Sequence, residues 1–208
     1  MGQQIRGLKM TNLKSNAATI ERREFVTALL KELPQSLVIT GLGSSCYDCY
    51  AAGDRDRNFY LWGAMGGAAM IGVGLALAQP KEQVVVVTGD GEQLMGMGSF
   101  STIGVQQPNN LTIVILDNGH FGETGMQHSH TNLGTNLAAV AQACGIQNAY
   151  QVSDMKDLSK VVQTVRQASG PAVAQVFVKA DDLPRALPSR DGVYIKNRFR
   201  QSLGLGPF

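Results

Sequence analysis

The chain has 208 residues, 44% of them hydrophobic, which is enough to bury one core of ordinary size. Its 18 basic and 16 acidic residues leave a net charge of +2, without the clustered basic residues typical of nucleic-acid binding. These values exclude a disordered tail and a disulfide-stapled mini-protein.

Short runs of β-branched residues alternate with segments of helical length along the chain. Helices are predicted at 18–31, 44–52, 65–78, 92–105, 137–144 and 155–168. Strands are predicted at 37–40, 59–61, 84–88, 111–116, 150–152 and 171–178. The strand runs lack period-two alternation, which indicates strands covered on both faces. We therefore expect an α/β fold over residues 18–180, a three-layer α/β/α arrangement with a six-stranded parallel sheet.

The two ends of the chain differ from this pattern. Residues 1–17 are polar and are predicted to be an N-terminal extension without the apolar centre of a signal peptide. Residues 181–208 contain three prolines and no clear periodicity, so we expect an arm that lies over the domain or a partner.

No membrane contact is expected, and the predicted location is cytoplasmic. The apolar stretch 61–78 contains five glycines and ends before Pro80, so it is predicted to be a buried helix rather than a membrane span. Three cysteines are too few for a disulfide framework, which favours a reducing compartment.

The segment Gly89-Asp90-Gly91-Glu92 follows the clearest strand of the sequence. Its glycines allow a tight turn and close approach of the backbone to a diphosphate, and the next helix supplies free N–H groups. A carboxylate repels phosphate, so Asp90 fits this place if a divalent cation lies between the two. Asn118 follows the next buried strand, and its amide oxygen suits Mg²⁺. Because ligands bind beyond the carboxyl ends of parallel strands, we predict a magnesium and diphosphate site there.

A nicotinamide site is disfavoured. The segment beginning at Gly41-Leu42-Gly43 has Cys46 where the third glycine of that fingerprint would stand. The following strand also lacks an acidic residue for a ribose hydroxyl.

Gly89-Asp90-Gly91 followed after 26 residues by Asn118 resembles the cofactor motif of the thiamine diphosphate-dependent 2-oxo acid decarboxylases. This resemblance implies thiamine diphosphate with Mg²⁺, held by the side chains of Asp90 and Asn118 and by the backbone carbonyl of His120. The residues that it implies at the cofactor are Gly41, Gly63, Ala64, Met65, Gly89, Asp90, Gly91, Glu92, Asn118, His120, Phe121 and Gly122.

Catalytic contributions are expected from Gly63, Met65 and Glu123. Trp62-Gly63-Ala64-Met65-Gly66 is similar to the family segment that packs against the cofactor. By that resemblance Met65 lies between the two cofactor rings, and the Gly63 carbonyl accepts a hydrogen bond from the aminopyrimidine. Met65 as an ordinary core residue is the alternative. Glu123 is a candidate for contact near the cofactor.

Over residues 20–185 the chain resembles, more narrowly, the diphosphate-binding part of phosphonopyruvate and sulfopyruvate decarboxylases. The segments that carry this resemblance are Gly53-Asp54-Arg55, Asn58-Phe59-Tyr60, Met65-Gly66, the Gly89 motif, Leu116-Asp117-Asn118-Gly119, Thr124-Gly125-Met126-Gln127 and Leu183-Pro184-Arg185. The segment His120-Phe121-Gly122-Glu123 departs from the family pattern, so the identity of the 2-oxo acid stays open.

The family's catalytic glutamate lies on a separate pyrimidine-binding domain, for which the 208 residues leave no room. The resemblance therefore implies a β subunit whose α partner supplies that glutamate, in a hetero-oligomer with self-association that acts on a small 2-oxo acid. The chain alone is expected to bind the diphosphate weakly and to catalyse nothing. Two alternatives stay open, a subunit of a carboligating enzyme resembling acetolactate synthase and a non-catalytic assembly or regulatory subunit.

Other candidate residues are less informative. Cys46 and Cys49 are predicted to be packing residues, because zinc or iron–sulfur sites need four ligands and Cys144 alone does not complete one. A cluster-bearing 2-oxoacid:ferredoxin oxidoreductase is disfavoured for the same reason. Two interpretations of His128 and His130 stay open: they move protons or pair with an anionic substrate, or they belong to a polar, solvated loop. Several basic residues near the C-terminus suit either a sulfonate or phosphonate substrate or a solvated or subunit-contacting surface: Arg185, Arg190, Lys196, Arg198 and Arg200.

Overall fold

The computed structural model describes residues 18–206, so the extension predicted for residues 1–17 lies outside the described residues. The strands are β1 Leu37–Thr40, β2 Asn58–Tyr60, β3 Val84–Gly89, β4 Leu111–Asp117, β5 His120–Phe121, β6 Gln127–His128, β7 Asn148–Val152 and β8 Ala172–Phe177. The α-helices are α1 Arg22–Glu32, α2 Ser44–Ala51, α3 Ala68–Ala78, α4 Asp90–Met95, α5 Ser99–Gln106, α6 Leu137–Ala143, α7 Leu158–Gln167 and α8 Gly192–Gln201.

Six strands form one parallel sheet in the order β2-β1-β3-β4-β8-β7. Its centre is in continuous register, with Ile39 opposite Val86 and Val86 opposite Ile113. A separate antiparallel pair, β5 and β6, follows β4. Since all strand pairings in the large sheet are parallel, the carboxyl ends of β1, β3 and β4 lie at the same edge of the sheet.

Helices cover both faces of the sheet and bury two apolar layers. Successive strand residues alternate between the faces, so Val85 and Val87 pack with α1, α2 and α7, whereas Val84 and Val86 pack with α3, α5 and α6. The predicted three-layer α/β/α fold is confirmed. Of the helices in the described part of the chain, none has the length and apolar character that crossing a membrane requires.

Several predicted helices have different bounds: α1 begins at Arg22 and α7 at Leu158, and two further differences have a cause in the backbone. The single helix predicted at 92–105 is wrong, because the chain turns between α4 and α5 where Gly96 packs against Gly66. A Cβ on Gly96 would lie 2.2 Å from the Gly66 carbonyl oxygen. The helix predicted from residue 65 begins at Ala68, because Ala64 and Gly66 adopt positive φ angles of 52° and 88°.

Helix α8 was not predicted, since residues 181–208 have sparse apolar residues. Asp191 caps this helix by accepting hydrogen bonds from the N–H groups of Val193 and Tyr194. Ile195 and Phe199 are buried, and they join the core layers on opposite faces of the sheet. The helix therefore lies beside β2 at the end of the sheet.

Candidate functional site

A cavity of about 340 Å³ opens at the carboxyl ends of the central strands. The predicted site residues on its wall are Met65, Gly89, Asp90, Gly91, Glu92, Asn118, His120, Phe121, Gly122 and Glu123. The structure thus brings together residues from β3, β4 and the segments that follow them. Gly41, Gly63 and Ala64 do not line the cavity, and cofactor contact at these three positions stays a prediction.

Asp90 is the first residue of α4, and only 2% of its surface is exposed. Its Oδ2 accepts hydrogen bonds from the hydroxyls of Ser129 and Thr131. The Thr131 hydroxyl also lies 2.7 Å from Oδ1 of Asp117, which is buried at the end of β4. Gln175 donates to Asp117 Oδ2 at 2.6 Å. One hydroxyl therefore bridges two buried carboxylates.

This pair of carboxylates concentrates negative charge under the cavity. Burial raises the pKa of Asp90 to about 6, and the charge of Asp117 acts in the same direction. The hydroxyls of Ser129 and Thr131 offset part of this effect. A cation beside Asp90 would offset both the cost of burying its charge and the repulsion from Asp117. The electrostatics of the site therefore fit a metal ion.

Hydrogen bonds between Asn118 and His120, both of which line the cavity, hold the turn after β4. Asn118 Oδ1 accepts a hydrogen bond from the His120 N–H at 2.9 Å, and the Asn118 carbonyl oxygen lies 2.7 Å from His120 Nδ1. Gly119 has a φ of +69°, and a Cβ there would lie 2.8 Å from Asn132 Nδ2. This turn therefore requires glycine.

The donor set fits Mg²⁺ by its chemistry. Asp90 offers a carboxylate, Asn118 an amide oxygen and His120 a backbone carbonyl, all hard oxygen donors. Residues 18–206 contain no group of three or more His, Cys, Asp and Glu side chains placed to hold a metal. That result is compatible with a site of one carboxylate completed by other oxygens, because Mg²⁺ takes few protein ligands.

Glycines allow close packing around the start of α4. A Cβ on Gly91 would lie 2.7 Å from the Phe121 ring. Glu92 is 4% exposed, and its Oε2 accepts a hydrogen bond from the Leu42 N–H at 2.8 Å. A Cβ on Gly41 would lie 1.8 Å from that Oε2. Gly41 thus leaves room for the Glu92 carboxylate, whose pKa is raised by burial.

Met65 and Glu123 stand on the cavity wall at more exposed positions. Met65 is 42% exposed and follows Ala64, which has a positive φ. Glu123 lies 3.5 Å from Arg185 in an ion pair. A Cβ on Gly43 would lie 2.8 Å from Glu123 Oε1, so the β1–α2 turn packs closely against Glu123.

The remaining candidates are at the edge of the site or away from it. His128 is exposed and lies opposite His120 in the β5–β6 pair, with ring centroids 4.7 Å apart. His130 is exposed and packs edge-on against Phe121. Cys46 and Cys49 are buried in the core as packing residues, and burial raises the pKa of the Cys46 thiol to about 11.

The sequence did not indicate Arg22, Ser129 or Thr131. Arg22 lines the cavity and is 7% exposed. Its spacing from Phe25, Val26 and Leu29 places an arginine on the apolar face of α1. This unusual position is visible in the sequence and could have indicated a functional role. The two hydroxyl residues carried no such signal, because they reach Asp90 from a loop that is 39 and 41 residues further along the chain.

The parallel sheet and the cavity at its carboxyl edge define an α/β cofactor-binding domain. The family described as "Thiamine pyrophosphate enzyme, C-terminal TPP binding domain" matches residues 43–176. The chain therefore belongs to the thiamine pyrophosphate enzymes, and the suspected resemblance is confirmed.

Two curated relatives illustrate the match. Phosphonopyruvate decarboxylase of Streptomyces viridochromogenes is 37% identical over 191 residues, 89% of this chain and 47% of the relative. The chain thus spans about half the length of that relative. Sulfopyruvate decarboxylase subunit beta of Methanococcus maripaludis is 33% identical over 186 residues, 88% of this chain and 98% of the subunit.

The fold recurs among solved structures. Benzoylformate decarboxylase of Polynucleobacter necessarius superposes with a TM-score of 0.68 at 18% identity, covering 80% of this chain and 34% of that one. At this identity the likeness concerns the fold alone.

Proposed function

We propose that this chain is the diphosphate-binding β subunit of a two-chain, thiamine diphosphate-dependent decarboxylase of small anionic 2-oxo acids such as sulfopyruvate or phosphonopyruvate. The observation that carries the proposal is the meeting of Asp90, Asn118 and His120 on one cavity wall. The relatives named as decarboxylases support the substrate class. A cytoplasmic location stays part of this proposal.

The cofactor would supply an electron sink for the carbanion left when a 2-oxo acid loses carbon dioxide. Asp90, the Asn118 amide oxygen and the His120 carbonyl would hold Mg²⁺ against the diphosphate. Ser129 and Thr131 keep the Asp90 carboxylate in place by hydrogen bonding Oδ2. Met65 would support the cofactor rings, and Glu123 would lie near the reacting end. These residues position the reactants and exclude water.

The partner would be a pyrimidine-binding α subunit that supplies the catalytic glutamate. Methionines are exposed at the cavity, with Met65 at 42% and Met95 at 60%. Met70 and Met97 are also exposed nearby in sequence, on α3 and in the α4–α5 turn. Exposed apolar patches mark interaction surfaces. An α subunit seated on these methionines would close the cavity, and further association of the pairs would give the hetero-oligomer.

The test is turnover by the co-expressed pair of chains. We expect carbon dioxide and an aldehyde from sulfopyruvate or phosphonopyruvate, and none from this chain alone. Asp90→Ala and Asn118→Ala should lower affinity for Mg²⁺ and thiamine diphosphate by at least about 10-fold, measured by calorimetry. Asp157→Ala, an exposed aspartate at the start of α7, is the matched control and should bind as the wild type does.

Each alternative gives a different result. An acyloin product instead of an aldehyde would identify carboligation. A complex that keeps full activity with Asn118→Ala would identify a non-catalytic subunit. Undiminished cofactor binding by Asp90→Ala would refute the metal assignment.

A further inference from the structure

Arg22, at the start of α1, is a buried cation on the cavity wall. Only 7% of its surface is exposed, and its Nε donates to Oδ2 of Asp48, which is fully buried. Arg23 donates from its Nε to the other oxygen of the same carboxylate at 3.0 Å. Two guanidinium groups therefore share one carboxylate.

The charge of this triad does not balance. Arginine side chains stay protonated in proteins, so Arg22, Arg23 and Asp48 together carry one positive charge. Arg23 is 27% exposed, and its Nη2 donates to the Pro184 carbonyl at 2.8 Å. The Nη atoms of Arg22, by contrast, donate no hydrogen bond to an acceptor within residues 18–206. Buried charges require a partner, and Arg22 lies on the cavity wall, where a bound anion could supply one.

The surroundings of Arg22 leave this charge available. Arg22 lines both the large cavity and an adjoining one of about 110 Å³, together with Ser44, Asn118 and Glu123. Glu123 is already paired with Arg185 at 3.5 Å. The acidic residues on the two walls are Asp90, Glu92 and Glu123 in the large cavity and Glu123, Asp181 and Asp182 in the small one.

Most of these acidic groups have other partners or face solvent. Glu92 accepts from Leu42, and Asp90 accepts from Ser129 and Thr131. Asp181 and Asp182 lie at exposed positions of the small cavity.

We infer that Arg22 binds an oxyanion inside the cavity, through the planar guanidinium fork that suits phosphoryl, phosphonate, sulfonate and carboxylate groups. The inference rests on the proposed function, because both the cofactor and the proposed substrates carry such a group. The ligand chemistry is the same for the two sources, the terminal phosphate of the cofactor and the acidic group of the substrate. Asp48 orients the fork by holding Nε.

Arg23 provides a matched control. It is the neighbouring arginine and binds the same carboxylate, but it lines neither cavity. A purely structural role for Arg22 predicts that Arg22→Met and Arg23→Met have the same effect on anion binding. A binding role predicts that only Arg22→Met weakens it.

The experiment measures binding of two probes to the full chain by calorimetry, alone and with its partner subunit. Inorganic pyrophosphate with Mg²⁺ reports on the cofactor's anion, and 3-sulfopropionate, added with cofactor present, reports on the substrate's anion. We expect Arg22→Met to weaken one probe by about 10- to 100-fold, the effect of losing charge-assisted hydrogen bonds. Arg22→Lys keeps the charge without the fork and should recover only part of the affinity.

The outcomes separate the sources. Weaker pyrophosphate binding assigns Arg22 to the cofactor, and weaker 3-sulfopropionate binding alone assigns it to the substrate. Equal binding of both probes by Arg22→Met and Arg23→Met overturns the inference, as does a wild type that binds neither. If Arg22→Met does not fold, the double variant Arg22→Met/Asp48→Asn also removes the charge of the buried carboxylate. Its binding of the two probes is then compared with that of Arg23→Met in the same way.

Failure of the proposed function is distinguishable from failure of this inference. Arg22-dependent pyrophosphate binding without any decarboxylation leaves the anion site standing and refutes the decarboxylase. Decarboxylation together with unchanged anion binding by Arg22→Met supports the decarboxylase and refutes the anion site at Arg22.

Discussion

Replacing Gly41 with alanine should displace the Glu92 carboxylate. The new Cβ would lie 1.8 Å from Oε2 and 2.7 Å from Cδ of Glu92, so the side chain must move and lose its bond from the Leu42 N–H. A hydrogen bond to a charged group contributes about 1.5–3 kcal/mol. Alanine recovers about 0.4–1 kcal/mol by restricting the unfolded chain. The net loss should be about 1–2 kcal/mol.

A double-mutant cycle isolates this contact. In a Glu92→Ala background the carboxylate is absent, so Gly41→Ala should be neutral or slightly stabilising. The coupling energy should therefore be about 1.5–3 kcal/mol. Urea denaturation followed by far-UV circular dichroism measures all four proteins.

Gly74→Ala in α3 controls for the general effect of adding a methyl group. A Cβ on Gly74 meets nothing within 4 Å, so this change should stabilise the helix by about 0.5–1 kcal/mol. Additivity of Gly41→Ala and Glu92→Ala to within about 0.5 kcal/mol would refute the packing argument.

Three further predictions concern Asp90, Thr131 and Gly104. Burial and Asp117 raise the pKa of Asp90 to about 6 from its usual 3.8, so the folded metal-free chain keeps a proton that the unfolded chain loses between about pH 4 and 6. Its free energy of unfolding should fall as the pH rises through this window and then level off. Urea denaturation at several pH values measures this dependence, which Asp90→Asn should flatten. Parallel dependences of the wild type and Asp90→Asn on pH would contradict the assignment. Thr131→Val should cost about 1–3 kcal/mol by leaving two carboxylates without their shared hydroxyl, whereas Thr131→Ser should keep most of the stability in the same assay. Gly104→Ala should lower the free energy of unfolding by about 1–3 kcal/mol, because its Cβ would lie 1.7 Å from the Cys144 carbonyl oxygen. Calorimetry should show a lower Tm than for the control Gly98→Ala, whose Cβ meets nothing within 4 Å. Equal Tm values for the two variants would contradict this prediction.

The strands that carry the site could be predicted from the sequence because they are continuous apolar runs. The prediction for β1 had the observed bounds, and β3 and β4 each extended one residue further. Parallel pairing then brings the residues after β3 and β4 to one edge, so the meeting of Asp90 and Asn118 follows from topology. That part of the site depends on local pattern and one general property of parallel sheets.

The rest depends on contacts between segments that are distant in sequence. The break between α4 and α5 is set by the approach of Gly96 to Gly66, which no periodicity encodes. Ser129 and Thr131 reach Asp90 because the antiparallel β5–β6 pairing returns the chain to the end of β4. The hydrogen bond from the Leu42 N–H to the Glu92 carboxylate also joins distant segments, and cofactor contact by Glu92 stays a prediction.

Helix α8 lies against one border of the large sheet. Strand β2 is the last strand on that side, and Arg198 donates to the Asn58 carbonyl oxygen at 3.2 Å while its Nη1 binds Asp54 at 2.6 Å. Unpaired border strands invite intermolecular β-pairing. We therefore expect residues 192–201 to shield this border from intermolecular pairing, so that a chain cut before residue 181 scatters light at concentrations where the whole chain stays clear.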